Sequence, residues 1–243
     1  MNNKFMHSKN FKTRLTTGIL LALVVILSLL TPNANLFRIL FFAGGAMASF
    51  ELFMAHRSQI YRGIPMRDDR ILVLEYATIF IAIYAISCYL SRYEVILVLL
   101  GAISADCFAY FAGSAMHDRF FKTRPFPKTS PKKSWEGILG GYIGCVFTLL
   151  VAIEVMGIGF AIPVIVFITV CPIVSIFGDW LASFCKRFLK IKDSSDCIEA
   201  SGLILARKLE KLMNGHGGYL DRIDSISMVA CLMFWLKLTT NPQ

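Results

Sequence analysis

Four aspartates lie within apolar segments of the chain or at their ends, and their setting indicates chemistry. Asp106 and Asp179 belong to two long apolar segments, and Asp221 and Asp224 stand at the start of another. A carboxylate in such a segment is energetically costly unless it is paired or ligating, so these acids are functional candidates. Asp221 and Asp224 are three residues apart, which puts both on one face if a helix begins there. Oxygen ligands without a cluster of thiols or imidazoles favour Mg²⁺ over zinc.

A glycine-rich turn and several cations accompany these acids. The glycines at 215, 217 and 218 allow the backbone to approach phosphate oxygens, and exposed N–H groups there form an anion-binding nest. Lys186, Arg187, Lys192 and Arg222 supply positive charge against several phosphates. Acids for a metal, cations for phosphates and a flexible turn together predict phosphoryl or nucleotidyl transfer.

The composition indicates that the elements carrying these residues span a membrane. Of the 243 residues, 56% are hydrophobic and 17% charged, and the mean hydropathy is +0.62. Soluble domains are about 45–50% apolar and about 25% charged. The excess lies in blocks near the length of about 20 residues that crosses a bilayer, which excludes a soluble enzyme, a disulfide scaffold and a disordered chain. We predict an all-α polytopic membrane protein with seven spans, at 14–31, 36–55, 71–90, 93–116, 137–156, 158–181 and 223–239.

The distribution of basic residues predicts the orientation of these spans. Of the 25 lysines and arginines, 22 lie in the N-terminal arm, in 56–70, in 117–136 and in 184–222, which fall on one side of a seven-span protein. The positive-inside rule places that side, and the N-terminus, in the cytoplasm. The long polar segments lie there too, so we expect the active site to face the cytoplasm and its substrate to be a lipid.

Neither the net charge nor the cysteines point to other classes of partner. The net charge of +9 is scattered between apolar blocks, which favours anionic headgroups and phosphorylated substrates and gives no support to a nucleic-acid partner. The seven cysteines form no CxxC pair, and five lie inside apolar blocks, so we interpret them as packing residues. We divide the chain into an N-terminal region of three spans, 1–92, and a catalytic region, 93–243.

Two long motifs resemble the phosphatidate cytidylyltransferase (CDP-diacylglycerol synthase) family. The first runs from Asp106 through Ala109-Tyr110 and Gly113 to Ser130-Pro131-Lys132-Lys133-Ser134-Trp135-Glu136-Gly137. The second is Ser183-x-x-Lys186-Arg187-x4-Lys192-Asp193, followed by His216-Gly217-Gly218-x-x-Asp221-Arg222-x-Asp224. The resemblance covers roughly residues 100–236, and the first three spans match only in being hydrophobic.

The sequence departs from the family pattern between the two halves of the second motif. Asp193 and His216 are 23 positions apart, roughly fifteen more than the family pattern has. Asn214 stands where a proline is usual, and Cys185 and Tyr219 replace aliphatic residues. The additional segment near 198–213 alternates apolar and charged residues in a pattern typical of a short amphipathic helix in the membrane interface. We interpret it as an insertion that leaves the flanking motif residues intact.

The resemblance implies a reaction, a set of site residues and partners. CTP and phosphatidate would give CDP-diacylglycerol and pyrophosphate, with Mg²⁺ or another divalent cation as cofactor and Asp179 and Asp221 as its ligands. The partners implied are CTP, phosphatidate, membrane lipids and a second copy of the chain in a homodimer, and the location implied is the bacterial inner (plasma) membrane. The catalytic residues would be Asp179, Lys192, Asp193, Asp221, Arg222 and Asp224. The substrate-binding residues would be Ser130, Lys132, Lys133, Ser183, Lys186, Arg187, His216, Gly217 and Gly218.

Other functions remain open from the sequence. A CTP-dependent polyprenol kinase or a cytidylyltransferase for another lipid would use similar residues, and only the products distinguish them. A transporter would carry acids deep in several spans and inverted repeats, whereas here the acids gather at one face. A catalytically inactive relative is the third alternative. Because Asp106 lies further from the basic cluster in sequence, we expect its replacement to have a milder effect than replacement of Asp179 or Asp221.

Overall fold

The structure, a computed structural model, describes residues 27–28, 35–61, 70–116, 119–121, 123–131, 133–191 and 220–240. Of residues 58–61, 221 and 222 it describes the backbone only. Within these ranges every long regular element is a helix, which confirms the prediction of an all-α protein. The helices, in chain order, are α1 (Asn35–Tyr61), α2 (Arg70–Tyr84), α3 (Arg92–Ala115), α4 (Trp135–Met156), α5 (Ile162–Phe188) and α6 (Leu220–Thr240), and a π-helical turn (Ala85–Tyr89) follows α2 directly.

All six helices contain segments that are long and apolar enough to cross a membrane, with α2 counted together with its π-helical turn. They correspond to the second through seventh predicted spans. The first predicted span, 14–31, lies outside the described residues except for 27 and 28, which are helical. Large side chains on the outside of α4, such as Ile143, Phe147 and Val155, are 63–80% exposed, as expected for a surface that faces acyl chains. The chain is therefore a helical membrane protein, while the seventh span and the orientation stay predictions.

Helix α5 differs from its predicted span, which we placed at 158–181. It begins at Ile162, with Pro163 in the first turn, and continues to Phe188. Lys186 and Arg187 lie in its last turn, where cations interact favourably with the helix dipole. Asp179 is thus an interior residue of the helix and does not end it.

The described residues form two compact units. One contains the described residues within 1–65 and 191–221, and the other contains those within 66–190 and 222–243. In the first unit, Leu220, at the start of α6, donates its backbone N–H to the carboxylate of Glu51 on α1. The second unit contains α2 to α5 and nearly all of α6. The division into these units does not test the predicted boundary at residue 92. That boundary separates the N-terminal spans from the catalytic region by function.

Helices α3 and α4 pack closely along a face of glycines. Gly137, Gly140 and Gly141 of α4 lie directly against the backbone and small side chains of α3, and Gly144 lies against the Phe108 side chain. A Cβ atom at Gly141 would stand 2.8 Å from the carbonyl oxygen of Ala105, and one at Gly137 would stand 2.9 Å from that of Ala109. Small residues at this spacing let two helix backbones approach within a membrane, where packing replaces the hydrophobic effect.

Contacts at both ends hold the other helices of the second unit together. At one end Lys237 of α6 pairs with Glu94 of α3 at 2.7 Å and donates to the carbonyl of Tyr89 at 3.0 Å. Glu94 also completes a capping box with Ser91, which starts α3 after a short connection. Towards the other end α5 crosses α6 at Gly178, where a Cβ atom would stand 2.7 Å from the carbonyl oxygen of Asp224.

The described cysteines agree with a packing role. Cys145, Cys171 and Cys185 are buried, and the thiol of Cys145 donates to the carbonyl of Gly101 at 3.3 Å. Cys88 and Cys107 are exposed on helices in the apolar part of the chain. No disulfide forms among the cysteines in the described ranges.

Replacing Gly141 with alanine tests the close packing of α3 on α4. The added methyl group meets backbone and the Ala109 side chain at 2.8–2.9 Å, so the helices must move apart. We expect a loss of about 1–3 kcal/mol in the free energy of unfolding, measured as lowered thermal stability in detergent. Gly159→Ala is the matched control, because a Cβ atom there meets nothing within 4 Å. Equal stability of the two variants would contradict the packing.

Candidate active site

A cavity of about 420 Å³ lies where α3, α4 and α5 meet. It is at the end of the second unit where the chain passes from α3 to α4, the α3–α4 connection. Three of its lining residues are charged: Asp106 of α3, Lys133 before α4 and Asp179 of α5. The remaining lining residues are mostly small or apolar: Ala109, Tyr110, Gly113, Ser114, Ser134, Gly137, Ile138 and Ile176. Both parts of the first sequence motif therefore contribute to one cavity, together with Asp179, which lies four residues before the second motif.

The two carboxylates of the cavity act on each other and on one lysine. The ammonium group of Lys133 forms an ion pair with Asp179. Asp106 also experiences the charges of both Asp179 and Lys133. On the next turn of α5, the hydroxyl of Ser183 lies 3.5 Å from the Oδ1 atom of Asp179 and donates to it. Among the described residues, two acids from different helices thus lie within electrostatic range of the Lys133 ammonium group.

The packing of α3 on α4 explains why these residues meet. Gly113 and Gly137 lie against each other near the cavity, with the Ser134 hydroxyl beside both. That hydroxyl accepts the backbone N–H of Gly137 at 3.1 Å and caps the start of α4. Lys133 directly precedes this cap, so the glycine contact and the cap together fix where the lysine enters the cavity.

Glu136 holds the connection between α3 and α4. Its side chain is buried, and its Oε1 atom accepts the backbone N–H groups of Phe120 and Phe121 at 3.0 and 2.9 Å. A carboxylate in the first turn of a helix also interacts favourably with the helix dipole. The connection is therefore tied to the same helix end that carries Lys133 and Ser134.

The connection is tied to α5 as well. Arg187 donates its Nε–H to the carbonyl oxygen of Thr129 at 3.5 Å. The ring of Phe126 lies 6.1 Å from that of Trp180, the residue after Asp179. Ser130, a predicted substrate-binding residue, follows Thr129 and donates its N–H to the Phe126 carbonyl at 3.0 Å. These contacts hold the connection beside α5 near Asp179.

The other predicted residues of α5 and α6 have separate surroundings. Lys186 lies near enough to Glu75 of α2 for the two charges to interact. Asp224 is 5% exposed, and its Oδ1 atom accepts the backbone N–H of Ser225 at 2.6 Å. Its backbone carbonyl faces Gly178. Helix α6 begins at Leu220, so Asp221, Arg222 and Asp224 all belong to its first turns.

Several predicted site residues lie outside the described residues or are described only by their backbone. Asp221 and Arg222 belong to α6, but their side chains are not described. The predicted residues outside the described ranges are Lys132, Lys192, Asp193, His216, Gly217 and Gly218, and the segment 198–213 lies outside them too. Their roles stay predictions.

Asp106 is the residue that the sequence analysis undervalued. We noted it as an acid within an apolar span, left it out of the predicted site and expected a milder effect of its replacement, because it lies further from the basic cluster in sequence. The structure brings both into one cavity. The argument for a milder effect at Asp106 therefore fails, because it rested on distance along the chain. The presence of an acid in an apolar span was a better indicator of a site residue than its distance along the chain.

The donor atoms of the cavity are of the kind that a hard divalent cation binds. The described part of the chain supplies only a few of them. Asp106, Asp179 and Ser183 offer oxygen atoms, which Mg²⁺ prefers. Within the described part of the chain, no group of three or more histidines, cysteines, aspartates or glutamates is placed to hold a metal ion.

The chain belongs to the cytidylyltransferase family, whose sequence profile matches residues 66–208. A phosphatidate cytidylyltransferase of Thermotoga maritima is 37% identical over 142 residues, which cover 56% of this chain and 45% of the relative. Phosphatidate cytidylyltransferase 5, chloroplastic, of Arabidopsis thaliana is 33% identical over 135 residues, which cover 55% of this chain and 29% of the relative. The chain thus spans less than half the length of these relatives. A phosphatidate cytidylyltransferase of Rickettsia bellii is 27% identical over 241 residues, which cover 96% of this chain and 94% of the relative.

The matched region includes the cavity residues Asp106, Lys133 and Asp179. It ends within the segment 198–213, before the His216-Gly217-Gly218 turn and α6. The relative from Rickettsia bellii aligns over nearly the whole chain, so its alignment extends beyond that segment.

Replacing Glu136 with alanine tests how the α3–α4 connection is held. The change removes the acceptor of two backbone hydrogen bonds, and hydrogen bonds to a charged group are stronger than those between neutral groups. We expect faster tryptic cleavage after Lys128 in the detergent-solubilised protein. Glu154→Ala, at the opposite end of the same helix and exposed, is the control. Unchanged cleavage in the Glu136 variant would show that other contacts hold the connection.

Proposed function

We propose that this protein is a phosphatidate cytidylyltransferase, which transfers CMP from CTP to phosphatidate and releases pyrophosphate. The observation that carries the proposal is the meeting of Asp106, Lys133 and Asp179 in one cavity formed by apolar helices. Membership of the cytidylyltransferase family supports it, as do relatives named for this activity.

The chemistry requires positioning and charge neutralisation more than acid–base catalysis. An oxygen of the phosphatidate phosphate attacks the α-phosphorus of CTP, and the bond from that phosphorus to the β-phosphate bridging oxygen breaks. The electron pair leaves with pyrophosphate. The attacking phosphate is already anionic near neutral pH, so it needs no strong general base. The protein therefore has to bring two anions together and stabilise the charge that develops on the leaving group.

The basic residues around the cavity suit this requirement. Lys133 already lies in the cavity as the partner of Asp179. Arg187 stands at the end of α5 beside the α3–α4 connection, within reach of the side from which a nucleotide would enter. We propose that these two residues, with Lys186, Lys192 and Arg222, bind the phosphates of CTP and phosphatidate.

We further propose that the site works with Mg²⁺. The donors present are oxygens, and Asp106 and Asp179 are the described carboxylates that would hold the ion, with Asp221 as a third. The bound cation would neutralise phosphate charge. Lys133 and Ser183 then orient Asp179, the first through its ion pair and the second through its hydroxyl.

The membrane setting follows from the same helices. Phosphatidate carries two acyl chains, and a cavity among apolar spans allows its headgroup to reach the acids while its chains stay in the bilayer. We propose that the protein lies in a bacterial inner membrane with this cavity towards the cytoplasm, as the distribution of basic residues predicts. The homodimer implied by the sequence resemblance is likewise a proposal.

The product analysis tests this function. Purified protein in detergent, supplied with Mg²⁺, phosphatidate and CTP labelled at the α-phosphorus, should transfer the label to a lipid and release pyrophosphate. A CTP-dependent lipid kinase would instead release CDP and leave the α-label in the water phase. A transporter or an inactive relative would form neither product. Absence of a labelled lipid from a well-folded preparation would contradict the proposal.

Replacing the cavity acids tests their role within the reaction. Asp106→Asn and Asp179→Asn keep the side-chain shape but remove an anionic oxygen ligand. We expect each to lower kcat by on the order of 100-fold or more, because the lost interaction acts mainly on developing charge. Glu154→Gln, an exposed carboxylate near the other end of α4, should keep normal turnover. Near-normal turnover of both aspartate variants across a Mg²⁺ titration would remove these acids from the mechanism.

A further inference from the structure

Ser225 of α6 is a buried polar residue that the mechanism described above does not use. It is 2% exposed, and its Oγ atom has no hydrogen bond of good geometry to any of the described residues. A buried hydroxyl without a partner is energetically unfavourable, and most buried polar groups in proteins are satisfied. Ser225 directly follows Asp224, the last residue of the second motif. The burial of its hydroxyl therefore needs a physical explanation.

The acid beside this hydroxyl is Asp106 of α3. The side chain of Ser225 lies close enough to the Asp106 carboxylate for the two groups to interact, although they do not form a hydrogen bond of good geometry. Hydrogen bonds within active sites often become short and well aligned only when substrate is bound. The Asp106 carboxylate is thus the acceptor that the buried hydroxyl needs.

The register of α3 against α6 gives independent support for this pairing. The ion pair between Glu94 and Lys237 joins the start of α3 to the last turns of α6. Asp106 follows Glu94 by 12 residues, and Ser225 precedes Lys237 by the same number. At a rise of about 1.5 Å per residue, each lies about 18 Å along its helix from that ion pair. Two helices that run antiparallel from this contact bring Asp106 and Ser225 to the same level.

The backbone at Ser225 is held against α5. A Cβ atom at Gly178 would stand 3.1 Å from the Cα atom of Ser225 and 2.7 Å from the carbonyl oxygen of Asp224. Gly178 directly precedes Asp179, so α6 passes close to α5 beside the second acid of the cavity. The hydroxyl of Ser225 therefore extends from a backbone that is fixed next to Asp179 and lies beside Asp106.

Each acid of the cavity thus has a serine beside it. The hydroxyl of Ser183 donates to Asp179, and the hydroxyl of Ser225 lies beside Asp106. Asp106 lines the cavity, whereas Ser225 is not one of the lining residues. A hydroxyl behind a carboxylate restricts its rotation without touching the substrate.

We propose that Ser225 is a positioning residue, whose hydroxyl donates a hydrogen bond to the Asp106 carboxylate and fixes its orientation in the cavity. Its effect on turnover rests on the function proposed above, whereas its contact with Asp106 does not. Because Ser225 acts through Asp106, loss of the hydroxyl should lower turnover and leave the binding of both substrates nearly unchanged.

Replacing Ser225 with alanine removes the hydroxyl and little else. We expect kcat to fall about tenfold, with KM for CTP and for phosphatidate within about twofold of the original values. Ser227→Ala is the matched control, because Ser227 is equally buried on α6 but donates its hydroxyl to the backbone carbonyl of Asp224 at 2.9 Å. The control should keep normal turnover, and equal losses of kcat in the two variants would overturn the proposal.

A double-mutant cycle with Asp106 shows whether Ser225 acts through that acid. Once Asp106→Ala has removed the carboxylate, adding Ser225→Ala should lower kcat by less than about twofold further. A full tenfold loss in that background would mean that Ser225 acts independently of Asp106, which contradicts the proposal.

The same cycle on thermal stability in detergent does not depend on activity. We expect Ser225→Ala to lower Tm by about 2–4 °C in the original protein and not to lower it in the Asp106→Ala background. An equal decrease in both backgrounds would overturn the contact. If the unmodified protein forms no CDP-lipid, the proposed function fails, and the thermal measurement still decides whether Ser225 holds Asp106.

Discussion

The close approach of α3 and α4 is the constraint on which the rest of the candidate site depends. Gly141 lets the α4 backbone come within contact distance of the carbonyl oxygen of Ala105, one residue before Asp106. One helical turn nearer the cavity, Gly137 meets Ala109 and Gly113 in the same way. The start of α4 is thereby held beside Asp106, and the cap at Ser134 and the lysine before it follow from that position.

A second theme is that three acids in the helices have defined partners. Asp179 pairs with Lys133, Glu136 accepts two backbone N–H groups, and Glu51 accepts the N–H of Leu220. In a membrane an unpaired carboxylate would be strongly unfavourable, so each partner defines a geometry that the surrounding apolar packing alone would not specify. In the second unit, Asp179 and Glu136 hold the α3–α4 connection against the helices that line the cavity.

Much of this arrangement could be predicted from the sequence, because the membrane imposes strong rules on composition. Blocks of apolar residues predicted the helices α1 to α6, and the acids within them marked Asp106 and Asp179 as functional candidates. The predicted span ended at 181, whereas α5 continues to Phe188 and includes Lys186 and Arg187 in its last turn, where a helix dipole accommodates cations.

What the sequence could not provide was the pairing of helices. Gly137, Gly140, Gly141 and Gly144 recur at spacings of three and four, which indicates a close-packing face but not its partner. Without that partner, the distance from Asp106 to Asp179 could be judged only along the chain, and this was misleading. Ser225 was missed for a related reason, since the carboxylate beside it belongs to α3, 119 residues earlier in the chain.

The central claim is that Asp106 and Asp179 act together in one site, and a double-mutant cycle on turnover tests it most directly. We would measure kcat for Asp106→Asn, Asp179→Asn and the double variant under saturating CTP, phosphatidate and Mg²⁺. Residues that serve one charge cluster are strongly non-additive, so the double variant should be little worse than the more damaged single variant. If instead the two losses multiply, the acids act independently and the shared site is contradicted.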